Sequence, residues 1–182
     1  MPENRYVLLD RDGVINHDSD SFIKSPEEWL PIDGSLEAIA LLSEHGYKVV
    51  VVTNQSGVAR GLFDAATLEK IHAKMRRMTA EKGGKIDAIY FCPHGPDGGC
   101  NCCKPKPGLL EQFAADHHAG LNGIAVIGDS LRDLQAALAV GASPMLVKTG
   151  KGEHTLAAGG LPKGTPVFDD LAAVVEHILA AA

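Results

Sequence analysis

Nowhere in the 182 residues is there an apolar run approaching the ~20 residues that a membrane helix needs. The start, Met1-Pro2-Glu3-Asn4-Arg5, leads into a short apolar stretch that ends in acid, so a signal-peptide core is missing as well. Positive charge is scarce: 17 Lys and Arg stand against 23 Asp and Glu, for a net charge of −6. Wrapping a nucleic-acid backbone rewards the opposite balance. Cysteine is absent except for Cys92, Cys100, Cys102 and Cys103, which crowd into one short segment. Repeats, low-complexity tracts and obvious linkers are lacking too. These absences lead us to expect one cytoplasmic domain spanning 1–182, monomeric, with no membrane and no nucleic-acid partner.

What is present is a regular alternation. Short apolar runs at Tyr6–Leu9, Tyr47–Val52, Ile86–Phe91, Ile124–Ile127 and Met145–Val147 read as strands. Between them, amphipathic stretches at Ser35–His45, from Asp64 to Gly83-Gly84, Gly108–His118 and Leu131–Val140 read as helices, with a last one at about Leu171–Ala181. The Gly- and Lys-rich stretch Lys148–Gly164 reads as a mobile loop. Uniformly apolar strands separated by helices predict a parallel sheet covered on both faces, an α/β three-layer sandwich of the Rossmann-like kind. Such sheets take ligands beyond the carboxyl ends of their strands. The polar residues at those ends are Asp10, Thr53, Cys92 and Asp129.

Each of these ends has an ordinary reading and a chemical one. Asp10-Arg11-Asp12-Gly13 is an Asp-Gly turn, or two carboxylates facing one pocket, one to attack and one to move a proton. Thr53-Asn54-Gln55-Ser56 is a cap, or a hydroxyl and backbone N–H groups for phosphate oxygens. Gly128-Asp129 adds a carboxylate for Mg²⁺, and Asp133 suits a supporting place behind it. Lys104 is a surface lysine, or a cation for a transferring anion. Magnitude favours reading them together. Phosphate-monoester hydrolysis can need acceleration of up to ~10²¹-fold, about 28 kcal/mol, while one positioned donor supplies about 3–4. A nucleophile, an acid, a metal and anion-stabilising groups are all required, and the chain offers each in turn.

In order and spacing, Asp10-x-Asp12-Gly13, Thr53, Lys104 and Gly128-Asp129 resemble the four signature motifs of the haloacid dehalogenase (HAD) superfamily of phosphatases. The resemblance covers essentially the whole chain. It implies that Asp10 forms an aspartyl-phosphate and that Asp12 protonates the leaving alkoxide and then activates water. It further implies Mg²⁺ on Asp10, Asp129 and the Asp12 main chain, with Thr53 and Lys104 steadying the phosphoryl group. A phospho-receiver signalling domain, an idle zinc-stabilised binding module and a nucleic-acid 3′-phosphatase are the rival readings. Net charge disfavours the last.

Cys92-Pro93-His94, followed after five residues by Cys100-Asn101-Cys102, has the donor set of a closed structural Zn²⁺ site. Chemistry alone leaves Cys102 and Cys103 open as the last ligand. The loop, at about 92–103, runs directly into Lys104. This combination resembles a zinc-loop branch of the superfamily whose members act on heptose 1,7-bisphosphate or on histidinol phosphate. That resemblance implies zinc on Cys92, His94, Cys100 and Cys102, and substrate contacts on Asp18, Ser19, Asp20, Ser21, Asn54, Gln55 and Ser56. It implies a small phosphorylated sugar, cleaved at C7 during synthesis of heptose precursors for lipopolysaccharide or related glycans. Histidinol phosphate or another small phosphomonoester is the alternative. The spacing leaves no room for a separate cap domain. At Cys103, counted among the substrate contacts, the branch usually carries Arg. A thiol cannot replace that planar fork, so Lys106 or Arg60 would have to cover the role. The remaining histidines, His72 among them, form no ligand spacing.

Overall fold

The computed structural model describes residues 5–182; the reading of Met1–Asn4 lies outside the described residues. Six strands form one sheet: β1 (Arg5–Leu9), β2 (Tyr47–Asn54), β3 (Ala88–Cys92), β4 (Ala125–Gly128), β5 (Ser143–Val147) and β6 (Val167–Phe168). Their spatial order is β3-β2-β1-β4-β5-β6, and every pairing is parallel. The helices are α1 (Ser35–Glu44), α2 (Ala65–Glu81), α3 (Gly108–His117), α4 (Leu131–Ala139), α5 (Gly152–Ala158) and α6 (Leu171–Ala180).

Side chains alternate across a strand, so each apolar run feeds two cores at once. Val7, Leu9, Val49, Val51 and Ile127 pack with α1, α2 and α6. Tyr6, Leu8, Val50, Val52 and Val126 face the other way, onto Leu109, Leu110 and Phe113 of α3 and Ala136 and Ala137 of α4. That is the expected three-layer sandwich, and it explains why the strands show no polar alternation. Among the described residues no separate cap domain stands over the sheet.

Local signals set most boundaries. Asp64 caps α2, its carboxylate accepting from the Thr67 N–H at 2.8 Å. Ser130 and Asp133 form a reciprocal capping box at the start of α4. Two expectations need correction. The stretch Lys148–Gly164 is not wholly a loop, because α5 lies within it, with Thr155 donating to the Asp129 carbonyl at 2.8 Å. A sixth strand, only Val167–Phe168, was also unforeseen, since two residues carry no readable period.

The chain runs outward from β1 through β2 to β3, then returns to the far side of β1 as β4. The strand order therefore reverses between β1 and β4, and a crevice opens there beyond their carboxyl ends. Phe113 is fully buried and packs edge-on against Tyr6 at 5.0 Å. Truncation there removes the centre of one core, so Phe113→Ala is expected to cost about 3–5 kcal/mol in urea unfolding.

Candidate active site

Asp10 follows β1 and Asp129 follows β4, so the switch point brings both carboxylates together. Acceptor oxygens of Asp10, Asp129 and Asp133 all lie within 4.8 Å of one another. Gly13 makes the approach possible. Its φ of +84° suits glycine, and a Cβ there would run into the Asp129 carboxylate. Gly128 is equally confined, by the Asp133 side chain.

Lys104 enters from the loop before α3 and is almost fully buried. Its Nζ donates to the Val52 carbonyl at 2.8 Å and to Asp133 Oδ1 at 2.5 Å, and lies 3.3 Å from Asp10 Oδ1. Asn54 fixes the Lys104 backbone, accepting from its N–H at 3.0 Å and donating to its carbonyl at 3.1 Å. Asp133 also accepts from the Ser130 hydroxyl.

Asp12 is held differently. Its Oδ1 accepts from Arg11 Nε at 3.0 Å, Arg11 Nη2 at 2.9 Å and Asn16 Nδ2 at 2.9 Å. Its Oδ2 accepts only from Gln55 Nε2, at 3.1 Å, among the described residues. Gln55 also donates to Thr53 Oγ1 at 3.0 Å. Asp10 Oδ1 accepts from the Arg11 N–H at 2.8 Å, while Asp10 Oδ2 has no hydrogen bond among the described residues. Among the described residues Asp10 thus keeps one oxygen without a hydrogen bond, and Asp12 keeps one with a single donor, Gln55.

The electrostatics follow from this packing. Burial, then the charges of Asp133, Asp129 and Asp12, push the Asp10 carboxyl well above the usual carboxylate range, against the pull of Lys104. Burial and Asp133 push Asp129 up to about 7. Burial works against the charge on Lys104, but Asp10 and Asp133 more than offset it and raise the ammonium above its ordinary value. Burial would also raise Asp12; the Arg11 charge and the hydrogen bonds from Asn16, Arg11 and Gln55 overcome it and hold that carboxyl low. Three crowded carboxylates with one ammonium fit a hard, oxygen-seeking cation such as Mg²⁺. The Asp12 side chain lies outside that group of three.

The cleft over these residues is about 500 Å³. Asp18, Ser19, Asp20, Asn54, Gln55, Ser56 and Cys103 line it. Ser21 is the exception: it is exposed, its N–H donates to Ser19 Oγ, and it does not line the cleft. Arg60 and Lys106, weighed as substitutes for a missing Arg, do line it, and so do Arg132 and Lys151, which the sequence reading missed. The Lys151 backbone N–H also donates to Asp129 Oδ2 at 2.9 Å, and backbone donors leave no residue-type signal.

Donor atoms of Cys92, His94, Cys100, Cys102 and Cys103 lie within 4.8 Å of one another. His94 Nδ1 is 3.5 Å from Cys92 Sγ and 3.3 Å from Cys102 Sγ, and Cys92 Sγ is 3.6 Å from Cys100 Sγ and 3.1 Å from Cys102 Sγ. A tetrahedral zinc with Zn–S of about 2.3 Å has edges of about 3.6–3.8 Å, which the Cys92–Cys100 pair matches and the contacts of Cys102 undercut. The structure pairs Cys92 with Cys103 as a disulfide, at a Cα–Cα separation of 5.2 Å, where the clustering alone favoured metal ligation. The five donors are close enough for either state, and a four-ligand metal site needs that pair reduced.

This is the geometry of a HAD-type phosphoryl-transfer site: two acids after the first strand, a hydroxyl in the last residues of the second, a buried lysine and a further acid after the fourth. Comparison with known proteins agrees. Residues 8–131 match a family model described as polynucleotide kinase 3 phosphatase, and residues 101–174 one described as HAD-hydrolase-like. The D-glycero-β-D-manno-heptose-1,7-bisphosphate 7-phosphatase of Bordetella bronchiseptica is 57% identical over 175 residues, 96% of this chain and 98% of that protein. The enzyme of that name from Neisseria meningitidis serogroup A is 49% identical, over 96% of this chain and 95% of its own length. A crystal structure of the B. bronchiseptica D,D-heptose 1,7-bisphosphate phosphatase, complexed with magnesium and phosphate, superposes with a TM-score of 0.96 at 57% identity, covering 98% of this chain and 99% of that one. The chain belongs to the heptose-1,7-bisphosphate 7-phosphatase family of HAD-like phosphatases.

A cation at the carboxylates competes with protons. A carboxyl raised by folding favours the folded state most below its unfolded value, and that contribution fades as pH rises through the folded value. For Asp129 the window runs from about 4 to about 7. Saturating Mg²⁺ is therefore expected to raise Tm more at pH 7.5 than at pH 5.5. A gain that does not depend on pH would contradict the assignment.

Proposed function

We propose that this chain removes the C7 phosphate of D-glycero-β-D-manno-heptose 1,7-bisphosphate through an aspartyl-phosphate intermediate. One observation carries the substrate: 57% identity to an enzyme of that name across nearly the whole of both chains. The β anomer comes from that relative's name; the sequence alone left the anomer open. The superfamily-level match to polynucleotide 3-phosphatase and the net charge of −6 point in opposite directions for a nucleic-acid substrate.

Asp10 Oδ2, free of hydrogen bonds among the described residues, attacks phosphorus, and the P–O bond to the sugar breaks. Asp12 gives its proton to the leaving alkoxide and takes one from the water that later attacks the aspartyl-phosphate. Lys104, with three oxygen partners, and Thr53 steady the charge on the phosphoryl group. Mg²⁺, held by Asp10, Asp129 and the Asp12 main chain, supplies charge neutralisation for the nucleophile and the phosphoryl oxygens. Zn²⁺ on Cys92, His94, Cys100 and Cys102 would keep the loop before Lys104 in place without taking part in the chemistry. Asp18, Ser19, Asp20, Asn54, Gln55 and Ser56 meet the sugar, and Arg60, Lys106, Arg132 and Lys151 are the cations at hand for its second phosphate. A single 1–182 domain acting as a monomer in the cytoplasm, in heptose precursor synthesis, completes the reading. No helix among the described residues is long and apolar enough to cross a membrane.

The test is kcat/KM across β- and α-heptose 1,7-bisphosphate, fructose 1,6-bisphosphate, histidinol phosphate and a 3′-phosphorylated oligonucleotide. The β-heptose bisphosphate is expected to lead by at least about tenfold, with Asp10→Asn inactive on all. A lead for histidinol phosphate or the oligonucleotide would overturn the substrate and leave the mechanism standing. In the same assay Cys103→Arg is expected to lower KM for the bisphosphate, by adding a planar fork at the cleft. An unchanged KM and kcat/KM would count against a substrate contact at position 103.

A further inference from the structure

Arg11 has no exposed surface, although it sits between the two acids of the motif. A buried guanidinium is tolerated only when its charge and its donors are matched. Asp12 takes one edge of it through Nε and Nη2. The remaining nitrogen, Nη1, donates to His72 Nε2 on α2 at 3.1 Å. His72 is itself buried, and burial together with the neighbouring Arg11 drops its pKa to about 3. The ring is therefore neutral, with the proton on Nδ1, and Nε2 is the acceptor.

We propose that His72 is a positioning residue for the acid–base step: it fixes the plane of Arg11, and Arg11 in turn fixes the carboxylate of Asp12. A guanidinium is rigid and planar, so anchoring Nη1 settles where Nε and Nη2 lie. Those two, with Asn16, place three donors on Asp12 Oδ1, while Oδ2 accepts from Gln55 alone among the described residues and is the oxygen that exchanges a proton with the leaving group and with water. The phenyl ring of Phe91 is centred 6.1 Å from the imidazole. The inference rests on the acid–base role given to Asp12 above.

Leaving groups provide a readout that mere destabilisation would not move. An alkoxide departs only with a proton from Asp12, whereas p-nitrophenolate departs without one. We therefore compare kcat/KM, which reports the steps up to departure, for the sugar bisphosphate and for p-nitrophenyl phosphate. The variants are His72→Leu, which removes the acceptor, His72→Gln, which restores one, and Asp12→Asn as reference. His72→Leu is expected to lose about tenfold on the sugar substrate and less than about threefold on the aryl one, with His72→Gln recovering most of the loss. Asp12→Asn is expected to show the same bias, larger. Equal losses on both substrates, no recovery in His72→Gln, or full activity in His72→Leu would overturn the proposal. Full activity in Asp12→Asn would overturn the role on which it rests.

Discussion

Four carboxylates and one ammonium crowd together at the carboxyl end of a single parallel sheet, Asp129, Asp133 and Lys104 buried and Asp10 and Asp12 partly exposed, and this unequal balance governs the rest. Lys104 answers Asp10 and Asp133, and Arg11 answers Asp12 from the opposite side. Asp129 is left with a backbone N–H of Lys151 and no cation of its own among the described residues. Carboxylates this close disfavour one another's ionisation, which is why Asp10 and Asp129 are both raised. A divalent cation relieves that crowding, and an incoming phosphoryl group then meets a compensated site. The local structure exists to keep this arrangement from relaxing: Gly13 and Gly128 let backbone approach carboxylate, and the Ser130–Asp133 capping box holds Asp133 against Lys104.

The two acids of the first motif share a strand end but not an environment. Asp10 faces carboxylates and keeps an uncommitted oxygen, as a nucleophile requires. Asp12 faces Arg11 and Asn16 and is held ionised. An acid kept low is well placed to accept a proton from water, and less so to donate one to an alkoxide. The approach of the phosphate dianion, beside Oδ2, works in the other direction. Different neighbours, not different chemistry, separate the two roles.

Much of this was legible beforehand, for identifiable reasons. Apolar strands that stop at Asp10, Thr53 and Asp129 announce both a parallel sheet and the end of it that carries the site. The C-x-H…C-x-C spacing likewise marks a cluster that the structure assembles. What escaped notice was whatever depends on distant partners or on backbone. Nothing in the sequence marks Arg11 as buried; in the fold it is matched by Asp12 and by His72, 61 positions away. Lys151 acts through its N–H, and α5, seven residues in a Gly-rich stretch, is too short to show a helical period. Ser21 was grouped with its neighbours by adjacency, but a turn directs it outward. Spacing likewise cannot choose four ligands among the five clustered donors of Cys92, His94, Cys100, Cys102 and Cys103.

The central claim is that Asp10 becomes covalently phosphorylated. Reaction with a substrate carrying ³²P in the scissile phosphate, stopped in acid within the first turnover, tests it most directly. The account predicts label on the one peptide that contains Asp10, labile to hydroxylamine and absent from Asp10→Asn. Phosphate released at full rate with no label on the protein would contradict it.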